Sequence, residues 1–365
     1  MDGGLLALSR AGGERAFVTD DQPRREADQL EGVILPEQNL SPLVGHAAAL
    51  RQIAEIEAAD RLPNAILLHG PQGIGKATLA FSLARQILVR TSDEDPRRVE
   101  EQIVAGSHPN VFVLRRQPRD GKGFYTVIRV DEVREIKERL QRTRGRAGHR
   151  VAIVDAIDDC NPSAANALLK TLEEPPADTL FLLISHRPGM LLPTIKSRCL
   201  NLAMRPLADG EVRAVLAGQR HQVAPAALDH AVTLAEGRPR RGFEALALSA
   251  EGALTALRRW LAGPGNAPSA AHLAIVDALL AEAGGAETGF ARETIVGWLA
   301  AEGRAAAIAE PASRARLASA NELWDKAHAL FADEETLNLD ARQTLVAILY
   351  AIRAHVQKTA LTELT

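Results

Sequence analysis

The stretch "NAILLHGPQGIGKATLAFSLARQILV", residues 64–89, decides how the rest of the chain is read. "NAILLHG" is a short apolar run closed by glycine, the mark of a buried parallel strand. "KATLAFSLARQILV" reads as a helix. Between them the pattern G-x-x-x-x-G-K-[ST] runs through Gly70, Gly75 and Lys76, then meets Ala77 where a hydroxyl belongs. Strand, glycine loop and helix are the setting that a phosphate-binding P-loop needs. In such a loop the glycines, here with Gly73 added, let backbone N–H groups approach phosphates. The lysine reaches the terminal phosphates, and the Ser/Thr hydroxyl holds Mg²⁺. Ala77 cannot do the last. Thr78 is adjacent, but one residue along a helix turns the side chain by about 100°. A chance glycine-rich turn is the competing reading, and the flanking strand and helix weigh against it.

The second half of a P-loop hydrolase is an acidic pair at the end of a buried strand, one acid for the metal and one to polarise water. "VAIVDAID" (151–158) supplies Asp155, then Ala156 where the base would stand. Asp158 and Asp159 lie beyond the strand and read as part of a turn. The groups for metal and for water are thus both compromised, as in a nucleotide scaffold that has lost catalysis.

Working outward, strands and helices alternate. "VFVL" (111–114) and "TLFLLIS" (179–185) are further strands, and "RVDEVREIKERLQRT" is an amphipathic helix with acids early and bases late. "NPSAANALLKTLEEPP" is a helix with Asn161 as N-cap and a Pro-Pro stop. "LLPTIKSRC" and "LNLAM" close the unit. This alternation predicts an α/β fold with a parallel sheet. Ahead of it, "SPLVGHAAALRQIAEIEAADRL" predicts a helix opened by Ser41 and Pro42. After Pro206 the strands vanish: three short helical stretches follow, then five more from about Gly252. The expected domains are a poorly ordered leader (1–40), the α/β domain (41–205), a small helical lid (206–250) and a helical C-terminal domain (251–365).

The totals exclude several classes. A formal net charge of -3 over 365 residues argues against a protein that coats nucleic acid by bulk electrostatics. Two cysteines, Cys160 and Cys199, make neither a disulfide framework nor a four-cysteine zinc site, which fits a cytoplasmic protein. No segment has the apolar length to cross a bilayer, and the first residues lack a signal-peptide layout. The basic stretches "RRQPRDGKG" (115–123) and "RLQRTRGRAGHR" (139–150) suit either a phosphate patch or a solvated turn, and no aromatic residues interleave to stack bases.

"NALLKTLEEPP" (166–176) followed by "TIKSRC" (194–199) resembles the signature of the clamp-loader branch of the AAA+ family. "AGSHPN" (105–110) and "VDEVREIKERL" (130–140) are similar to one member of the bacterial DNA polymerase III ring, the one that typically does not hydrolyse ATP. The likeness runs from about Val44 to Gly242 and more loosely beyond. It implies a P-loop AAA+ domain, a lid and an all-α collar-type C-terminal domain. It implies that Arg198 is an arginine finger acting in trans on a neighbour's ATP. Ser185 falls where the family has a polar sensor and Arg240 where the lid has a second one. Lys170, Glu173 and Glu174 are signature residues sharing a helix face, with a solvated or intersubunit salt-bridge surface as the plainer reading. Many relatives carry a four-cysteine zinc module at the interval Thr91–Ala105, which here has no cysteine, so no zinc is expected.

The leading expectation is therefore an assembly subunit without independent ATPase activity, within a DNA polymerase III holoenzyme that loads the sliding clamp on primed DNA. Its partners would be gamma/tau-like and delta-like subunits, with clamp and DNA met through the assembly and no membrane. ATP is a possible ligand of Gly70, Gly73, Gly75, Lys76, Thr78, Asp155, Ser185 and Arg240. The alternative is a self-acting ATPase or P-loop kinase, which Lys76 and Asp155 keep open.

Overall fold

Five strands form one parallel sheet: β1 (Ala65–His69), β2 (Val111–Leu114), β3 (Arg150–Asp155), β4 (Thr179–Ser185) and β5 (Leu200–Ala203), in the order β2-β3-β4-β1-β5. A computed structural model of the chain describes residues 29–30, 33–58, 62–119, 124–141, 146–220, 223–246, 252–268, 270–281, 286–308, 314–337 and 339–362. The apolar runs are central for a physical reason. β4 is buried at every position, and β3 at all but its last, so both faces must be covered by helices. Leu67, Val154, Leu168, Phe181 and Leu183 fill one side of the sheet.

The covering helices are α1 (Ala47–Ala58), α2 (Lys76–Thr91), α3 (Pro96–Val104), α4 (Val130–Gln141), α5 (Pro162–Glu173) and the short α6 (Pro193–Lys196). Asn161 caps α5, its side chain accepting from the Ala164 N–H at 2.8 Å. The interval from Thr91 to Ala105 folds mainly as α3, capped by Asp95, whose carboxylate accepts from the Arg97 N–H at 3.0 Å. Next to it Glu94 pairs with Arg146 and lies 3.7 Å from buried His108. Three further helices, α7 (Asp209–Gln219), α8 (Pro225–Ala235) and α9 (Pro239–Leu246), pack on one another.

The chain divides into two compact units, Met1–Leu246 and Ala247–Thr365, so α7 to α9 fall in the same unit as the sheet. The second unit is helical: α10 (Ala253–Leu261), α11 (Ala271–Ala281), α12 (Ala286–Ile308), α13 (Arg314–Leu337) and α14 (Ala341–Thr362). A polar knot joins its three long helices. Glu302 accepts from Arg316 at 2.9 and 3.2 Å and lies 3.2 Å from His355 Nε2, while His355 Nδ1 is 2.8 Å from Ser319 Oγ. Among the described residues no helix is long and apolar enough to cross a membrane.

Two expectations need correction. The helix opened by Ser41 begins six residues later, at Ala47. Gly45 (φ +76°) and His46 (φ +57°) are left-handed and cannot continue a right-handed helix, so 41–46 is a connecting segment laid beside the glycine loop. The poorly ordered leader does not extend to residue 40. Leu35 and Glu37 are buried, Arg85 donates to the carbonyls of Glu37 (3.4 Å) and Asn39 (2.8 Å), and Arg115 meets the Glu37 carboxylate at 3.3 Å. The rest of that expected leader, 1–28 and 31–32, lies outside the described residues, as do 120–123 and 142–145 of the basic stretches.

Candidate nucleotide site and the opposite edge

In a parallel sheet all strands end on one edge, and ligands bind beyond that carboxyl edge. The glycine loop follows β1 there. Gly70 has φ +148°, and a Cβ on it would stand 2.1 Å from the Met204 carbonyl oxygen. Only glycine lets β1 turn so close to the strand beside it. Gly73 (φ +80°) lies under Arg240, where a Cβ would be 2.7 Å from the arginine's own Cβ. Gly75 (φ +101°) makes the last left-handed step into α2.

The loop's carbonyls are satisfied from within the chain. The Arg240 N–H donates to Gly73 O at 3.1 Å, and His46 Nε2 is 2.8 Å from Ile74 O. Lys76, buried, donates from Nζ to Gly70 O at 2.8 Å and Pro71 O at 2.5 Å. Burial pulls its ammonium down to about 8, against the attraction of Asp155 and Asp158. Burial likewise lowers His46 and His69, so both are neutral at pH 7.

Beside the loop opens a cavity of about 500 Å³, within the range typical of small-molecule sites. Its polar wall includes Lys76, Thr78, Asp155 and Arg240, and Val33, Leu43, Val44 and Phe243 are on its apolar side. Phosphates therefore fit the residues present: a glycine loop in the required left-handed steps, a buried lysine and an arginine against the same loop. Magnesium does not. Ala77 brings no hydroxyl, and Ala156, buried, fills the position expected for a base.

Asp158 is the residue that sequence reasoning passed over. Its carboxylate accepts from Ser185 Oγ (3.0 Å), His186 N–H (2.6 Å) and Arg187 N–H (3.3 Å). It fastens the turn after β3 to the end of β4 and spends its oxygens doing so. Ser185 is fully buried and turned toward that carboxylate, and the cavity wall at this point is Ile184 and His186. Arg240 contributes its backbone to the loop, while its Nε holds Glu244 at 3.1 Å.

Arg198 is elsewhere. Ile66 pairs with Leu200 and His69 with Ala203, so Arg198, two residues ahead of Leu200, is level with the start of β1. At about 3.3 Å per residue, it lies about 20 Å along the strands from Gly70, beyond the reach of any side chain. Its turn is firmly built. Ser197 Oγ donates to Thr194 O at 3.1 Å, and Asn201 Nδ2 donates to the carbonyls of Lys196 and Cys199, each at 3.0 Å. Arg198 itself is exposed, with Nη1 on Thr194 O at 2.9 Å and Nη2 on Glu173 at 2.7 Å. Cys199 is buried and its thiol is pushed up to about 11, while Cys160 is pushed up to about 12 by burial and then by Asp159. Neither is a reactive thiolate.

Residues 45–208 match the family model described as DNA polymerase III, delta subunit. Over 144 residues the chain is 43% identical to the DNA polymerase III subunit delta' of Pseudomonas aeruginosa, covering 38% of this chain and 42% of that protein. Over 217 residues it is 26% identical to the DNA polymerase III subunit tau of Bacillus subtilis, covering 57% of this chain and 37% of that one. The chain thus spans less than half the length of these curated relatives. A gamma subunit-related protein of Thermotoga maritima overlaps structurally with 19% identity, 83% of this chain and 98% of that one covered, at a TM-score of 0.37, too loose an overlap to argue from.

Proposed function

We propose that this chain, whose residues 45–208 belong to the DNA polymerase III, delta subunit family, is a delta-prime-type subunit of a clamp-loading ring. It binds gamma/tau-like and delta-like subunits, meets the sliding clamp and primed DNA through the assembly, and gives Arg198 to a neighbour's ATP. One observation carries the second part: Arg198 stands exposed at the edge of the sheet opposite its own glycine loop. A phosphate that it stabilises must belong to another molecule. A guanidinium fixed by a built turn neutralises charge on a transferring phosphoryl group.

The same geometry supports a subunit that does not hydrolyse ATP itself. Ala77 and Ala156 lack the groups for metal and water, and Asp158, the nearest substitute acid, is committed to β4. The reading of a self-acting ATPase or P-loop kinase loses support for that reason. The cavity favours one addition: a nucleotide held by Gly70, Gly73, Gly75, Lys76, Thr78 and Arg240 as a structural ligand. When bound, it would supply charge and shape to the site rather than chemistry.

The test is reconstitution with gamma/tau-like and delta-like subunits. Arg198→Ala should leave the chain folded and incorporated yet sharply reduce ATP turnover by the ring. Unchanged turnover refutes the finger. Binding of labelled ATP to the full chain in excess EDTA tests the structural nucleotide.

A further inference from the structure

Glu173 ends α5, and its carboxylate holds Arg198 Nη2 at 2.7 Å while the Thr194 carbonyl holds Nη1 at 2.9 Å. Both terminal nitrogens of the guanidinium are engaged within the chain. A phosphate is read by the paired N–H groups of that fork. In this arrangement Arg198 cannot offer the fork until it releases one of its two partners. The carbonyl belongs to the turn that carries the arginine and moves with it. The carboxylate belongs to α5, a separate element, and is the contact that can be exchanged.

We propose that Glu173 is a catch for Arg198: it holds the guanidinium against this chain until a neighbour's triphosphate displaces it. This rests on the reading of Arg198 as a finger. The exchange needs no strong force. The pair is solvent-exposed, with 35% and 42% of the two side chains accessible, and a carboxylate carries one charge where a triphosphate carries several. Such pairs are weak enough to break and strong enough to bias a population. The catch also keeps an exposed cation from wandering before the ring is assembled. Glu173 is a positioning residue in this account, because it touches Arg198 and never the phosphate.

The experiment titrates the full-length chain into the ATPase subunits of the reconstituted ring and follows ATP turnover. Glu173→Gln keeps the size and removes the charge. It should lower the half-saturating concentration of this chain by about 1.5- to 5-fold, leaving turnover at saturation unchanged. The wild-type half-saturating concentration should fall toward the variant's as salt is raised, since salt weakens the exposed pair. Glu173→Asp, which keeps the charge on a shorter arm, should lie between the two. Arg198→Ala is run beside them, and Arg198→Ala with Glu173→Gln should match Arg198→Ala alone. If Arg198→Ala is silent, the finger reading fails and the catch with it. If Arg198→Ala cripples turnover while Glu173→Gln leaves the titration unchanged or weakens it, the finger stands and the catch is overturned.

Discussion

The two edges of the sheet are built to opposite rules. At the carboxyl edge the glycine loop is locked: Lys76, Arg240 and His46 satisfy its carbonyls, and Asp158 ties β3 to β4 behind it. At the amino edge a turn of comparable rigidity presents a single exposed arginine. The inner edge is organised to hold something. The outer edge is organised to reach something. A residue of the first kind therefore acts on the stability of this chain, and a residue of the second kind acts on the chemistry of a neighbour.

The sharpest way to break that contrast is Arg198→Ala. Loss of an arginine finger costs about 10³-fold or more in turnover at the site it serves. Thermal unfolding of the chain itself should move little, because the arginine buries almost nothing. A large drop in melting temperature would make Arg198 a structural residue and erase the distinction.

Gly70→Ala probes the other edge. The added Cβ would stand 2.1 Å from the Met204 carbonyl at a backbone angle that L-residues rarely adopt. Strain and displacement of β5 together should cost about 3 kcal/mol or more, read by chemical denaturation. Asp158→Ala should follow at about 2 kcal/mol, since it deletes charge-assisted hydrogen bonds from Ser185, His186 and Arg187. A neutral result for Asp158→Ala would mean that the joint between β3 and β4 does not depend on it, and would return the residue to the pool of possible bases.

What the sequence could show divides along the same line. The glycine loop was legible because each of its glycines answers to a local backbone demand, and the strands because buried parallel strands are continuous apolar runs. The place of Arg198 relative to the loop follows from strand direction alone. Asp158 was not legible as a joint: its partners lie 27 to 29 residues away, and only the β3–β4 pairing brings them together. Ser41-Pro42 carries a sound local start signal that tertiary structure overrides, because residues 41–46 are needed beside the loop. The order of residues 33–40 was likewise hidden, since it depends on Arg85 and Arg115, far along the chain.

The smallest effect is the most discriminating, because one proton should act in opposite directions on the two properties assigned to the inner edge. Lys76 has its ammonium lowered from 10.5 to about 8. Between those values the unfolded chain binds a proton that the folded chain has released. Stability should therefore rise with pH across that window, since the burial penalty on the ammonium disappears with its charge. Affinity for a phosphate should fall across the same window, by about tenfold for each pH unit above 8, because the phosphate needs the charged form. The neighbouring groups do not imitate this pair of slopes: His46 and His69 are already neutral, and Asp155 and Asp158 help to hold the Lys76 charge. Lys76→Arg, whose charge persists, should flatten both profiles while still binding phosphate. Parallel slopes in the wild-type chain, or a titration that survives Lys76→Arg, would show that the buried lysine is part of the fold and not of a ligand site.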